Sequence, residues 1–494
     1  MAHCSKQEGR KTKRANNQKR EIMKSFIKVL AIVAVAITAV MSASCDSQPS
    51  YRSGDIFEPV EVFPIPPRPE GQTHVLELRA DPIDTVRVAI IGLGMRGQGA
   101  VRRLSFIDEA LVVVVADVVP SSVARAQQTL SRMGRPAADE YFETDSWREI
   151  CRRDDIDLVY ICTHWDLHAP IAIYAMENGK HVATEIPAAL TLEECWDLVN
   201  TAERTRRHMM MLENCNYDFF EMATLNMVQQ GLFGEIVHAE GAYIHDLRSM
   251  LFAEEGERGH YWDMWRLRHN EEKDGSLYPM HGLGPIAHAL NIHRGDRMEY
   301  LVSVSSNQFG LTAYAKEKFG EDSDYATREY KKGDMNTTII KTARGRTIKI
   351  QHDITSPRPY SRIHMLSGTE GFAQKWPRTG IALEPDGHRW LSDDRLDSLL
   401  AVYEHPIVTM VGEKAREVGG HGGMDFIMDY RLIYCLHHGL PLDQDVYDAA
   451  EWSSVIELSQ ISVKNNGMPV QVPDFTRGAW QELSTVTYYL ADDE

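Results

Sequence analysis

Six residues constrain the fold of this chain more than any other feature. Gly92-Leu93-Gly94-Met95-Arg96-Gly97 follows an apolar run, Val86 to Ile91, that reads as a strand, and it leads into a helical pattern. Glycines at Gly92, Gly94 and Gly97 permit a tight turn and a close approach of backbone to pyrophosphate, and a helix N-terminus adds partial positive charge. Alone, the motif is a weak signal. Asp117 strengthens it, because it stands 25 residues after Gly92 at the end of the second candidate strand, where a carboxylate accepts from ribose hydroxyls. The same charge repels a 2′-phosphate, so the expected cofactor is NAD rather than NADP.

Short apolar runs alternate with helical stretches from Thr85 onward, the pattern of βαβ units and a parallel sheet. The expected strands are Val86 to Ile91, Leu111 to Ala116, Leu158 to Cys162, His181 to Thr184 and Met209 to Leu212. Helices are expected at Ala169 to Asn178 and Thr191 to Arg207, the second opened by a capping box, Thr191-x-x-Glu194. The later strands end on Thr163 to His168, Glu185 and Asn214. Ligands of open parallel sheets sit at such ends, so these residues point to one crevice. Beyond Asn214 the strands lengthen (Ile236 to Asp246, Tyr300 to Gln308, Asn336 to Thr342, Thr347 to Asp353), and a helical tail, Gly423 to Val463, is expected to pack back on them. The fold class is α/β: an N-terminal doubly wound Rossmann sheet over 81–213, then an α+β domain with a mostly antiparallel sheet over 214–494.

The chain has 494 residues and a formal net charge of −18, with 43% hydrophobic and 25% charged residues. That composition is of a globular protein, and its acidity disfavours nucleic acid as a partner. Residues 1–44 depart from it with a net of +7. Lys24 and Lys28, an apolar run from Val29 to Val40 and small residues before Cys45 read as an export leader over 1–44, with Met23 the more natural start. Its end resembles a bacterial lipoprotein signal, which implies lipidation of Cys45 and an address in the cell envelope. An uncleaved anchor helix is the alternative. Residues 45–80, with prolines at 59, 64, 66, 67 and 69, are expected to be an extended tether. The remaining cysteines are scattered and form no zinc or disulfide pattern, so no metal is expected. His288, His293, His437 and His438 read as surface or packing residues.

A Rossmann domain with Glu-x-Pro after a late strand resembles the Gfo/Idh/MocA sugar dehydrogenases, but here the triplet is Glu185-Ile186-Pro187, without that family's Lys. The chain more closely resembles glycoside hydrolase family 109, the NAD-dependent α-N-acetylgalactosaminidases. The matching segments include Gly94-Met95-Arg96-Gly97, Trp165-Asp166-Leu167-His168, Glu213-Asn214-Cys215-Asn216-Tyr217, Trp265-Arg266-Leu267-Arg268-His269-Asn270, Tyr278-Pro279-Met280-His281 and Gly420-His421-Gly422-Gly423-Met424-Asp425. The resemblance implies NAD contacts at Met95, Arg96, Asp117, Trp165, Asp166, Leu167, His168, Glu185, Ile186 and Asn214. It implies sugar contacts at Tyr243, Arg266, Tyr278, Pro279, Met280, His281 and Tyr360. Met280 stands where the family has Thr, and Leu167 where an aromatic is common.

The implied route oxidises the sugar at C3, eliminates the anomeric oxygen after loss of the acidified C2 proton, adds water and reduces C3 again. His281 is expected to carry the proton transfers, with Tyr217 and Tyr278 as phenolic partners. The expected activity is hydrolysis of terminal α-linked N-acetylgalactosamine. The alternative is an NAD-linked sugar dehydrogenase. The expected partners are a glycan substrate and a membrane reached only through the lipid anchor, with homo-oligomerisation left open.

Overall fold

The computed structural model describes residues 62–253 and 261–491. The leader, its Cys45 and the first part of the tether lie outside them. Strands β1 (Val86–Ile91), β2 (Ala110–Ala116), β3 (Asp139–Tyr141), β4 (Leu158–Ile161), β5 (His181–Thr184) and β6 (Met209–Met211) form one all-parallel sheet in the order β3-β2-β1-β4-β5-β6. Five of these were expected from sequence. The exception, β3, is an exposed edge strand of three residues, Asp-Glu-Tyr, with no apolar pattern to reveal it. Because strand side chains alternate between faces, Ala89 and Ile91 of β1 join one core, whereas Val86, Val88 and Ile90 join another on the opposite side of the sheet.

The second sheet has the order β13-β12-β11-β7-β10-β9-β8-β14. Its strands are β7 (Ile236–Ile244), β8 (Met298–Ser305), β9 (Asn336–Thr342), β10 (Thr347–Asp353), β11 (Met365–Gly368), β12 (Gly371–Gln374), β13 (Gly380–Leu383) and β14 (Val470–Gln471). Only β7 and β10 pair in parallel, with Ile350 opposite Gly241; the other pairs are antiparallel. The fold class is as expected.

Of the helices that matter for the site, α1 (Met95–Leu104) follows the glycine turn and α2 (His168–Glu177) follows β4. Helix α3 (Leu192–Thr205) starts at Thr191, where both halves of the expected capping box are present. Helix α4 (Met280–Ala289) lies across the second sheet, close enough that a Cβ on Gly282 would collide with the backbone of Gly241 and Ala242.

Two expectations change. The helical tail is two helices, α5 (Met424–His438) and α6 (Val446–Lys464), and α5 packs on the Rossmann sheet rather than on the second one. Phe426, Ile427, Leu432 and Leu436 share a core with Val86, Val88 and Ile90, and Asp429 accepts from Arg103 (2.6 Å) and Tyr160 (2.8 Å). An apolar pattern shows that a helix is buried, not which sheet buries it. The tether also ends earlier than expected. Val75, Leu76 and Leu78 are buried, Arg68 donates to Glu203, and the Val75 amide donates to the Tyr447 hydroxyl, so this segment is docked on the domain instead of extended.

Candidate active site

The turn after β1 fits a dinucleotide. Gly92 has φ +91°, and a Cβ there would meet the Cys162 carbonyl at 2.5 Å. A Cβ on Gly97 would lie 2.0 Å from the Gly92 carbonyl oxygen, so this position holds helix to strand. Gly94 differs, since nothing lies within 4 Å of its Cβ position; it is the N-cap of α1 and has no side-chain cap, which leaves the first amides of the helix open to an anion. Asp117 accepts from the amides of Leu93 (2.6 Å) and Val119 (2.8 Å), fixing a carboxylate beside the turn. These observations predict a contrast. Gly97→Ala should lower both thermal stability and cofactor content, whereas Gly94→Ala should lower cofactor content with little change in Tm; equal losses of Tm would contradict it.

Under the crevice runs a chain of ion pairs. Arg96 Nε donates to Glu185 (2.7 Å), and its Nη1 donates to Asp425 (3.1 Å). Asp425 also accepts from Asn214 Nδ2 (2.5 Å) and lies 2.9 Å from His421 Nδ1. Burial pushes the Asp425 carboxyl up, but Arg96, His421 and Arg103 together hold it well below the usual carboxylate range. The turn that brings Asp425 here has φ between +44° and +114° at Gly420, His421, Gly422 and Gly423, which explains its glycines.

His281 sits at the start of α4. His281 Nδ1 lies 2.8 Å and 3.1 Å from the two oxygens of Glu213, which follows β6. Glu213 is fully buried; burial raises its carboxyl, but His281 and the amide of Cys215 bring it below its ordinary value. With Nδ1 engaged, Nε2 is the ring nitrogen left to serve a substrate. Glu213 was quoted in sequence only as part of a motif. Its position beside Asn214 at a strand end was the signal available for it.

Aromatic rings surround this dyad. Tyr243 lies 5.1 Å from His281 and 4.8 Å from Tyr278, which in turn stacks on Trp165 at 5.7 Å. Arg266 lies among Trp165, Tyr243, Tyr261 and Tyr278, its guanidinium 4.6 Å from the Tyr278 ring, with Tyr261 accepting at 2.8 Å. Burial pushes the Tyr278 and Tyr243 phenols up despite Arg266, so both stay protonated. Tyr360 lies at the rim, 6.2 Å from Tyr243. Its hydroxyl accepts from Arg362 (3.1 Å), which with Lys375 pairs to Asp218 and Glu221.

The two acids of that rim cluster differ. Asp218 is pushed up by burial and by Glu221. Burial also raises Glu221, yet Arg362 and Lys375 outweigh it and bring this carboxyl down to about 2. A depressed carboxyl adds stability that is present above its unfolded value near 4.5 and is lost as pH falls toward 2. Chemical denaturation between pH 5 and pH 2.5 should therefore show a loss of stability that is flatter in Glu221→Gln; identical slopes would contradict this.

Not every expected residue joins the site. Tyr217 is fully buried, donates to Asp443 at 3.2 Å and packs on Tyr488 in the core beneath α5, so it is not brought together with His281 and Tyr278. His168 is buried and braces Pro187 and Thr163 carbonyls (2.7 and 3.0 Å). Asp166 is held between His164 and His269, at 3.2 and 3.4 Å. Leu167 is partly buried beside the same turn. Ile186 and Met280 are core residues at 3% and 0% exposure, and Pro279 is buried at the start of α4. Met95, by contrast, is 49% exposed at the mouth of the glycine turn. His288 and His293 are buried packing residues, as expected, but they face Asp448 and Glu451.

The chain is similar to known proteins. Residues 86–213 match the model of the oxidoreductase family with an NAD-binding Rossmann fold, and residues 217–482 match the C-terminal domain of glycosyl hydrolase 109. An α-N-acetylgalactosaminidase of Bacteroides fragilis is 53% identical over 83% of this chain and 97% of its own length. A glycosyl hydrolase family 109 protein of Porphyromonas gingivalis is 46% identical over 94% and 99%. Among solved structures, levoglucosan dehydrogenase in complex with NADH and L-sorbose shares the fold, with a TM-score of 0.60 and 20% identity over 79% of this chain and 100% of its own. The glycine turn, the second-sheet site and these matches together show that the chain belongs to glycosyl hydrolase family 109 and is an NAD-dependent glycoside hydrolase.

Proposed function

We propose that this enzyme removes terminal α-linked N-acetylgalactosamine by transient oxidation of the sugar at C3. The observation that carries the reading is the placement of the His281–Glu213 dyad beside both the ring cluster of the sugar site and the Asn214–Asp425–Arg96–Glu185 chain beneath the cofactor crevice. NAD held in the crevice would supply a hydride acceptor and then donor for C3, so hydrolysis would leave no net redox change.

The chain's own residues supply the rest. The open amides at Gly94 and the start of α1 hold the pyrophosphate, and Asp117 holds the adenosine ribose. Tyr243 and Tyr278, kept protonated, donate to sugar oxygens and turn the ring toward the crevice. Arg266 adds a fixed positive charge in a water-poor surround, which favours the acetamido carbonyl and any charge developing at a neighbouring oxygen. His281 Nε2 takes the acidified C2 proton while Glu213 holds the proton at Nδ1, which fixes the tautomer and stabilises the charged ring. The leader and Cys45 support export to the cell envelope with a lipid anchor, tested by loss of membrane association in Cys45→Ala.

A single assay separates the glycosidase from a dehydrogenase. Purified enzyme without added NAD should release aryl alcohol from an aryl α-N-acetylgalactosaminide over many turnovers. Steady NADH accumulation on adding NAD and free sugar, without aryl release, would favour the dehydrogenase.

A further inference from the structure

The catalytic dyad has a third member. Cys215 Sγ lies 3.1 Å from His281 Nδ1, and one ligand atom each from Glu213, Cys215 and His281 falls within 4.8 Å of the other two. Glu213 and Cys215 are fully buried, while the His281 side chain is 14% exposed. Carboxylate, thiolate and imidazole are a donor set for zinc and similar borderline-soft cations. Bond lengths near 2.0 Å to N and O and near 2.3 Å to S separate tetrahedral ligand atoms by about 3.3–3.6 Å. The present spacings of 2.8 and 3.1 Å therefore need to open by about half an ångström, leaving the fourth position for water.

We propose that Glu213, Cys215 and His281 form an inhibitory site for a divalent cation of the zinc class, which disables His281 by occupying its Nδ1. In the metal-free site Nδ1 carries the ring proton, Nε2 holds the lone pair and Cys215 is a thiol. A cation on Nδ1 shifts the ring proton to Nε2, binds Cys215 as thiolate and releases the one thiol proton to solvent. No lone pair then remains on the ring to accept a proton from substrate.

The site itself is independent of the glycosidase reading; only the inhibition rests on it. Cobalt(II) added to the purified holoenzyme should give thiolate-to-metal charge-transfer absorption that Cys215→Ser lacks. Zinc should inhibit aryl release reversibly, be relieved by EDTA, and act at least tenfold more weakly on Cys215→Ser. Equal inhibition of both proteins, or no thiolate band, overturns the proposal. A band without inhibition overturns the switch while leaving the proposed reaction untouched.

Discussion

His281→Ala is expected to lower kcat on an aryl α-N-acetylgalactosaminide by about 10²- to 10⁴-fold, the range for loss of a general acid–base group. Cofactor content should not change. The partners of His281 are Glu213, Cys215, Tyr243 and Tyr278, and none belongs to the glycine turn or to the Asp117 carboxylate. Glu213→Gln should act in the same direction with a smaller loss, because an amide oxygen still accepts from Nδ1 but brings no negative charge to balance a protonated ring. Activity of His281→Ala within tenfold of the parent, at full cofactor content, would remove this residue from the chemistry.

Asp425→Ala should be strongly destabilising. Asp425 is 2% exposed, pairs with Arg96, lies 3.6 Å from Arg103 and accepts from Asn214. Removing one partner from a buried pair costs about 3–5 kcal/mol, since the remaining charge stays desolvated. Arg96 would then rest on Glu185 alone, and Asn214 would lose its anchor beneath the crevice. Both a lower denaturation midpoint and lost cofactor are expected. A loss below about 0.5 kcal/mol, the range of an exposed ion pair, would show that this network does not hold the two parts of the site together.

Much of this was legible in the chain. Strands β1, β2, β4, β5 and β6 are dominated by apolar residues because helices cover both faces of the sheet, and such runs announce themselves. The glycine turn and Asp117 were legible for a related reason, since their local conformation is what the cofactor needs. Long-range packing was not. Nothing local says that α5 closes the Rossmann sheet, that Val75 and Leu78 dock against the domain, or that Tyr217 points to Asp443. Glu213 escaped for the same reason, as its partner His281 lies 68 positions away and only the packing of α4 on β7 and β6's end joins them.

Transient oxidation of the sugar at C3 requires that its C2 proton be exchanged during hydrolysis. The direct measurement is turnover of an aryl α-N-acetylgalactosaminide in D2O, followed by NMR or mass analysis of the released sugar. Deuterium at C2 of the product, without net NADH, is the predicted result. Released sugar with protium retained at C2 would contradict it and point to direct displacement at the anomeric carbon.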